Sequence, residues 1–305
     1  MLFDVQGQLN SMNLAESKAL WPLFEAVVNS IQAIEESPNK DSGKITILAE
    51  REPSTQEQLS QGQKRILEKF ESFTITDNGT GFNKANYESF QTAYSTLKIK
   101  KGCKGIGRFL WLKAFNAVEI HSVFYENGQY MKRDFSFTAE KGISPEQDNV
   151  TSSDKKLCGT SVKLCEFIPK YRNKAPVELD VVAKKIIEHC LPFFISGNCP
   201  QITIQDGITT PINLNQYFQD NIQDSLHQDH FQIKDSEFTI YHVRLPEGAD
   251  AHRLHFCANM QEVESVELKN YIPNLQKRIV PPSEPAGFFY VGYIVSSYLD
   301  SIVNV

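Results

Sequence analysis

The sequence lacks an apolar run long enough to cross a bilayer. Its apolar stretch near the C-terminal end, GFFYVGYIVSSYL at positions 287–299, is interrupted by polar residues and is shorter than the roughly 20 apolar residues of a membrane helix. It predicts a buried strand followed by a helix. The first residues, MLFDVQGQLNSMN, lack the basic region and apolar core of a secretory signal. We therefore expect a cytoplasmic protein with no membrane partner.

Paired cysteines and an excess of positive charge are also absent. The six cysteines form no CxxC pair and lie mostly in apolar or strand-like surroundings, which indicates reduced thiols rather than a disulfide framework. The formal net charge of −6 over 305 residues is the opposite of the basic footprint that non-specific DNA binding requires. A nucleic-acid partner is possible, but the charge does not support it.

The order of helical and strand-like patterns predicts an α+β fold with helices on a mostly antiparallel sheet. A long amphipathic helix spans 14–34 with a possible break at Pro22, and strands follow in KITILAE and FTITD. Residues 83–104 show no sustained period, a helix covers 107–115, and AVEIHSVFY with QYMKRDFSFTA predicts a hairpin. Hairpins in place of repeated βαβ units argue against a doubly wound fold.

A polar stretch, NQYFQDNIQDSLHQDH at 215–230, predicts a domain boundary. The expected domains are therefore residues 1–222 and a second, smaller α+β domain at 223–305. The final residues, LDSIVNV, suggest a cut within an element, so we expect a fragment of a longer protein.

The first candidate motif is a pair of polar residues in the first helix. Glu25 and Asn29 are four residues apart, which places them on one helix face one turn from each other. A solvated polar pair is one interpretation. The alternative is functional, because a carboxylate and an amide oxygen at this spacing can hold a water and a hard cation such as Mg²⁺.

The second motif is the turn ITDNGTGF, in which Asp77 ends a strand and Gly79 and Gly81 follow. Asp, Asn and Gly favour a hairpin turn for conformational reasons alone. In a functional interpretation, Asp77 accepts a hydrogen bond from a ligand and the glycines let a flat ring lie against the backbone.

The third motif is KGCKGIGRFLWLKAF at 101–115, which places Gly102, Gly105 and Gly107 ahead of a helical pattern. A glycine-rich loop that opens a helix leaves several N–H groups facing one point and attracts a phosphate. An ordinary tight connection is the alternative. The loop lysines either contact phosphate, with Lys104 the best candidate, or form a solvated lid. A fourth motif, Gly159 with Thr160 at the start of a strand, is uninformative alone.

Taken together and in this order, the four motifs resemble the GHKL ATPases with the Bergerat nucleotide-binding fold. That group includes heat-shock chaperone ATPases, MutL-type mismatch-repair proteins, DNA gyrase, MORC proteins and histidine kinases. The glutamate of the first motif and the second domain favour the chaperone, MutL and MORC-like branch over histidine kinases. One departure is Gln32, where many relatives have an aspartate.

The resemblance implies roles for individual residues. Glu25 would polarise the attacking water, Asn29 would coordinate Mg²⁺, and Asp77 would accept from the exocyclic amine of adenine. Thr160 would support the adenine through an ordered water. The remaining nucleotide-binding residues implied by the resemblance are Ala33, Gly79, Gly81, Gly102, Lys104, Gly105, Ile106, Gly107, Arg108 and Phe109.

The implied function is ATP binding and slow hydrolysis that drives lid closure and dimerisation of a larger clamp-like or gate-like protein. Residues 83–106 would be the lid, 1–20 a strap between subunits, and 223–305 a truncated transducer-like domain. The missing C-terminal region or a client protein would be a further partner. Two alternatives stay open: a nucleotide-sensing module without significant turnover, and the ATPase module of a DNA-transaction or defence protein.

Overall fold

The computed structural model describes residues 5–53, 67–92, 107–145, 148–245, 251–258, 260–282 and 286–302. It confirms the predicted α+β class, because helices accompany two mostly antiparallel sheets. The described residues divide into two compact units. One draws on the described residues within 5–92, 107–182 and 200–213, and the other on those within 183–199 and 214–302. None of the helices within the described ranges is long and apolar enough to cross a membrane.

The first unit contains a mixed sheet in the order β5-β4-β3-β7-β2-β1-β8-β9, with β6 paired to β4. Neighbouring strands are antiparallel except for the parallel pair of β1 and β8. The bounds are β1 Lys44–Arg51, β2 Phe70–Asp77, β3 Phe115–Glu126, β4 Gln129–Thr138, β5 Gly142–Ser144, β6 Val150–Ser152, β7 Gly159–Phe167, β8 Gln201–Gln205 and β9 Ile212–Asn213.

The predicted hairpin is confirmed as β3 and β4. The two strands are joined at Asn127 and Gly128, whose φ angles are 50° and 82°. Two successive residues with positive φ match the right-handed twist of the flanking strands, which is why the sequence ENG marks this turn.

The helices of the chain are α1 Val5–Ser11, α2 Trp21–Glu35, α3 Lys84–Gln91, α4 Gly107–Ala114, α5 Pro169–Arg172, α6 Leu179–His189, α7 Leu191–Ile195, α8 Leu214–Asn221 and α9 Ser297–Ile302. The boundary between the two units falls within α6. Helix α3 was not predicted. Its N-cap, Asn83, accepts a hydrogen bond from the backbone N–H of Asn86 and so starts a helix in a polar stretch.

Helix α2 begins where Pro22 occupies its first turn, a position at which the missing N–H costs nothing. The predicted break at Pro22 is therefore the start of the helix, and a short 3₁₀ turn at Glu16–Lys18 precedes it. The buried apolar side chains of α2 recur at helical spacing, and they pack over strands β1, β2 and β7. This packing places the polar face of α2 beside the end of β2.

The second unit contains a five-stranded sheet in the order β10-β11-β14-β12-β13, with a parallel pair between β12 and β14. The bounds are β10 His227–Ile233, β11 Ser236–Leu245, β12 Arg253–Ala258, β13 Gln261–Glu267 and β14 Phe289–Val295. The Tyr293 hydroxyl donates to the carbonyl of Glu188 at 2.8 Å, which ties β14 to α6. The predicted strand and helix at 287–299 correspond to β14 and α9.

Candidate functional site

Asp77, at the C-terminal end of β2, has both carboxylate oxygens occupied by protein donors. Oδ1 accepts from the backbone N–H of Gly79 at 2.8 Å, and Oδ2 accepts from the Ser30 hydroxyl of α2 at 3.0 Å. The residue is 7% exposed. A carboxylate has about four acceptor positions, and these two bonds, one to each oxygen, fix its orientation.

The turn after Asp77 lies directly against helix α2. The Thr80 N–H donates to the carbonyl of Ala33 at 3.1 Å. A Cβ at Gly79 would lie 2.6 Å from the carbonyl carbon of Ala33, so this contact excludes any side chain at Gly79. The Thr80 hydroxyl oxygen is buried with no hydrogen-bond partner among the described residues. Native proteins rarely leave such an atom unpaired, and a bound ligand or water would satisfy it.

Thr160 lies opposite Asp77 in the pairing of β2 with β7. Its hydroxyl is 3.1 Å from that of Ser122 on β3, and Ser122 also accepts from the backbone N–H of Phe82 at 2.8 Å. Gly81, with φ of 74°, packs against the same stretch of β3, since a Cβ there would lie 2.3 Å from the Val123 carbonyl oxygen. The hydroxyl groups of Ser122 and Thr160 therefore form a small hydrogen-bond network beneath the turn.

Glu25 projects from α2 toward the start of α4. A Cβ at Gly107 would lie 2.2 Å from Glu25 Oε2, so the carboxylate occupies the space that a side chain at Gly107 would need. Glu25 is partly exposed, yet the protein around its carboxylate disfavours the charged form and raises its pKa to about 7. Such a carboxyl group can exchange a proton near neutral pH.

Asn29 lies one turn beyond Glu25 on α2 and is also partly exposed. An amide oxygen and a carboxylate form the hard oxygen donor set that Mg²⁺ accepts, provided that waters or phosphates complete the coordination. No group of three His, Cys, Asp or Glu side chains suited to a metal occurs in the part of the chain that the structure describes. The residues present fit a cation held jointly with a ligand.

Arg108 and Phe109, in the first turn of α4, are packed into the protein. The Arg108 guanidinium lies over the rings of Phe90 and Phe109, at 5.2 and 4.6 Å from their centroids. Burial lowers the pKa of Arg108 to about 10. Phe109 is 1% exposed and meets Phe137 edge-on at 5.8 Å. These side chains fix the start of α4 in the core.

The predicted site residues therefore form two groups joined by α2. Asp77, Gly79, Gly81, Ala33 and Thr160 lie around the end of β2. Glu25 contacts Gly107 at the start of α4, and Asn29 lies one helical turn from Glu25. Arg108 and Phe109 are packed into the protein at the start of α4. Four further predicted residues lie outside the described residues, namely Gly102, Lys104, Gly105 and Ile106.

Two site residues were missed by sequence reasoning. Ser30 is a buried hydroxyl residue of α2 that directly follows Asn29 of the first motif, and that position was an available signal. Ser122 sits in a strand pattern in which serine is unremarkable. Its role comes from contacts to Phe82 and Thr160, both about 40 positions away, so no local signal could identify it.

No model of a known protein family matches the sequence, and no curated protein matches it. Among solved structures, one match is the 43K ATPase domain of Thermus thermophilus gyrase B in complex with an aminocoumarin. The TM-score is 0.42 and the sequence identity 10%, and the match covers 90% of this chain and 75% of that chain. A similarity of this size does not identify a function, which has to be argued from the site residues.

Proposed function

We propose that this chain binds ATP together with Mg²⁺ and hydrolyses it slowly. The observation that carries the proposal is the position of α2, which holds the first motif and contacts two separate stretches that the sequence marked as motifs. The contacts are Ser30 with Asp77, Ala33 with Gly79 and Thr80, and Glu25 with Gly107.

In this proposal, the group around Asp77 recognises adenine. Asp77 accepts from the exocyclic amine, Gly79 and Gly81 leave room for the base and ribose, and Thr160 supports the base through a water. Two protein donors already orient the carboxylate, so little reorganisation is needed on binding. Guanine presents a carbonyl oxygen at the position of the amine and would set a second acceptor against the buried carboxylate, which favours ATP over GTP.

The group around Glu25 carries the hydrolysis step. Bound Mg²⁺ would supply charge neutralisation on the phosphates. Asn29 would hold it through its amide oxygen, and Glu25 would accept a proton from the attacking water. A pKa of about 7 leaves a substantial fraction of Glu25 ionised at neutral pH, as a general base requires.

The glycine-rich loop would contribute the phosphate contacts and the lid. Gly107, with Arg108 and Phe109 packed in the core, would anchor the end of a lid at 83–106 that closes over the triphosphate. The residues proposed to contact phosphate there are Gly102, Lys104, Gly105 and Ile106.

The larger assembly is proposed as an ATP-dependent homodimer of a cytoplasmic clamp-like or gate-like protein. Residues 1–222 would form the ATP-binding domain, 223–305 a transducer-like domain, and 1–20 a strap that crosses to the partner. The carbonyls of Leu9 and Leu14 accept from Lys113 and Tyr171 of the same chain. A crossing strap must therefore exchange these two bonds for their equivalents in the partner.

The direct test is phosphate release from ATP with Mg²⁺, compared with EDTA-treated samples and with GTP. We expect slow, Mg²⁺-dependent turnover of ATP that exceeds turnover of GTP. Sedimentation velocity with Mg²⁺ and a non-hydrolysable ATP analogue tests the dimer. Turnover that is the same for both nucleotides would contradict the adenine assignment, and a monomer at every concentration would contradict the dimer.

A further inference from the structure

A buried arginine holds the turn that carries Gly79 and Gly81. Arg133, on β4, is 2% exposed, and its Nη1 donates to the backbone carbonyl of Phe82. Its Nε and Nη2 donate to the two carboxylate oxygens of Asp148, at 2.7 and 2.8 Å. One guanidinium group therefore joins the turn to a two-bond ion pair, an arrangement that requires arginine and not simply positive charge.

The aromatic rings around Arg133 extend this contact to the next helix. The guanidinium lies 4.4 Å from the ring centroid of Tyr87 on α3 and 4.8 Å from that of Phe124 on β3. Stacking on aromatic rings is favourable for a planar cation when it is shielded from water. Arg133 thus connects strand β3, the turn and helix α3.

Two other backbone groups of the same turn are also fixed by side chains. The Phe82 N–H donates to Ser122, and the carbonyl of Gly81 accepts from the Asn86 side chain at 3.0 Å. Of the three side chains that bind backbone groups of this turn, namely Ser122, Asn86 and Arg133, only Arg133 is charged. Because Gly79 and Asp77 lie just before these groups, the position of Phe82 determines where the turn meets α2.

We propose that Arg133 is a positioning residue of the nucleotide site, which acts by holding the Phe82 carbonyl so that Asp77 and Gly79 keep their places against α2. This inference rests on the proposed ATP-binding function. Arg133 itself touches neither the base nor the phosphates in this arrangement. Its loss therefore loosens the turn, weakens nucleotide binding and leaves the hydrolysis step at Glu25 unchanged.

The same unit contains a matched control in Arg51. Its side chain is 4% exposed. Its Nε and Nη2 donate to one carboxylate oxygen of Asp206, Oδ2, at 3.0 and 2.7 Å, and its Nη1 donates to the Glu68 carbonyl at 2.6 Å. Its guanidinium lies 4.1 Å from the ring centroid of Phe70. Glu68 lies before the start of β2, whereas Asp77 ends that strand, so Arg51 repeats the arrangement of Arg133 away from the site.

The experiment compares Arg133→Lys and Arg51→Lys with the wild type by thermal melting, by calorimetric titration of a non-hydrolysable ATP analogue with Mg²⁺, and by steady-state hydrolysis. We expect both variants to melt at a lower temperature. We expect Arg133→Lys alone to raise Kd and KM about tenfold, with kcat unchanged to within about twofold. Asp148→Asn should raise Kd by a smaller factor than Arg133→Lys does. This variant should stay folded, because the Asp148 side chain is 39% exposed.

The inference is overturned if folded Arg133→Lys and Asp148→Asn bind the analogue as tightly as the wild type does. It is also overturned if Arg51→Lys weakens binding as much as Arg133→Lys, since the effect would then be general destabilisation. A wild type that binds no nucleotide would instead overturn the proposed function, and this inference with it.

Discussion

The two halves of the candidate site, both attached to α2, are built differently. Around Asp77 the carboxylate is buried, and protein donors bind both of its oxygens. Glu25 is partly exposed as a residue, but its carboxylate packs against a glycine and burial raises the pKa of that carboxylate to about 7. One half is thus held in a fixed orientation, which suits the recognition role proposed for it, and the other can change its protonation. The difference implies that binding and turnover can be separated by mutation.

The largest separation is expected from Glu25→Gln. The amide keeps the shape of the side chain but cannot accept the proton from water, so turnover should fall by roughly 10²–10⁴-fold. Affinity for a non-hydrolysable analogue should be retained. Phosphate release and calorimetry on the same preparation measure the two effects. If Glu25→Gln retains its turnover, the chain is an ATPase that uses another base. If Glu25→Gln loses binding of the analogue, the two halves of the site do not have separate roles.

A smaller effect on the same half is expected from Gly107→Ala. The added Cβ would lie 2.2 Å from Glu25 Oε2, so the flexible carboxylate must move away. We expect kcat to fall about tenfold while Kd changes little. Adding this change to Glu25→Gln should lower turnover no further, because the displaced group is already inactive. Additive losses in the double variant would place the effect elsewhere in α4.

The half around Asp77 is tested by Ser30→Ala, which removes a donor that orients the Asp77 carboxylate. Loss of a hydrogen bond to a charged group costs about 1.5 kcal/mol or more, so Kd should rise about tenfold while kcat stays near its wild-type value. Ser72→Ala is the matched control, because Ser72 donates to the Glu50 carboxylate from the same strand as Asp77. Equal effects of the two substitutions on Kd would argue against a specific role for Ser30.

The smallest effect concerns pH. The pKa of Glu25 is raised from 4.5 to about 7 on folding, so the folded state binds more protons between these values. Its contribution to stability is therefore complete below pH 4.5 and is lost as pH rises through 7. Since Glu25 is partly exposed, we expect a loss of about 1 kcal/mol. Urea unfolding at pH 5 and pH 8 should show this loss of unfolding free energy in the wild type but not in Glu25→Gln. The same change in unfolding free energy between the two pH values in both proteins would refute the prediction.

Much of the first unit could be predicted because its signals are local. Pro22 marks the first turn of α2, the sequence ENG marks the hairpin of β3 and β4, and alternation identifies β1. Helix α3 was missed because it depends on the Asn83 cap and on the burial of Tyr87 and Phe90 rather than on a clear period.

The candidate site was predictable in part for the same reason. Glu25 with Asn29 and Asp77 with Gly79 are short-range patterns whose spacing can be read directly. The partners that orient them are not local, since Ser30 meets Asp77 across 47 positions and Arg133 meets Phe82 across 51. Such pairs exist only after the strands and helices have assembled, so neither Ser30 nor Arg133 was predicted.

The central claim is that Asp77 forms an adenine-recognising site, and calorimetric titration of a non-hydrolysable ATP analogue with Mg²⁺ tests it most directly. The comparison uses the wild type, Asp77→Asn and, as a control, Asp134→Asn, whose carboxylate pairs with His121 and Lys132. We predict saturable binding by the wild type and the control, and none by Asp77→Asn. The claim would be contradicted if folded Asp77→Asn bound the analogue as tightly as the wild type does, or if the folded wild type showed no saturable binding.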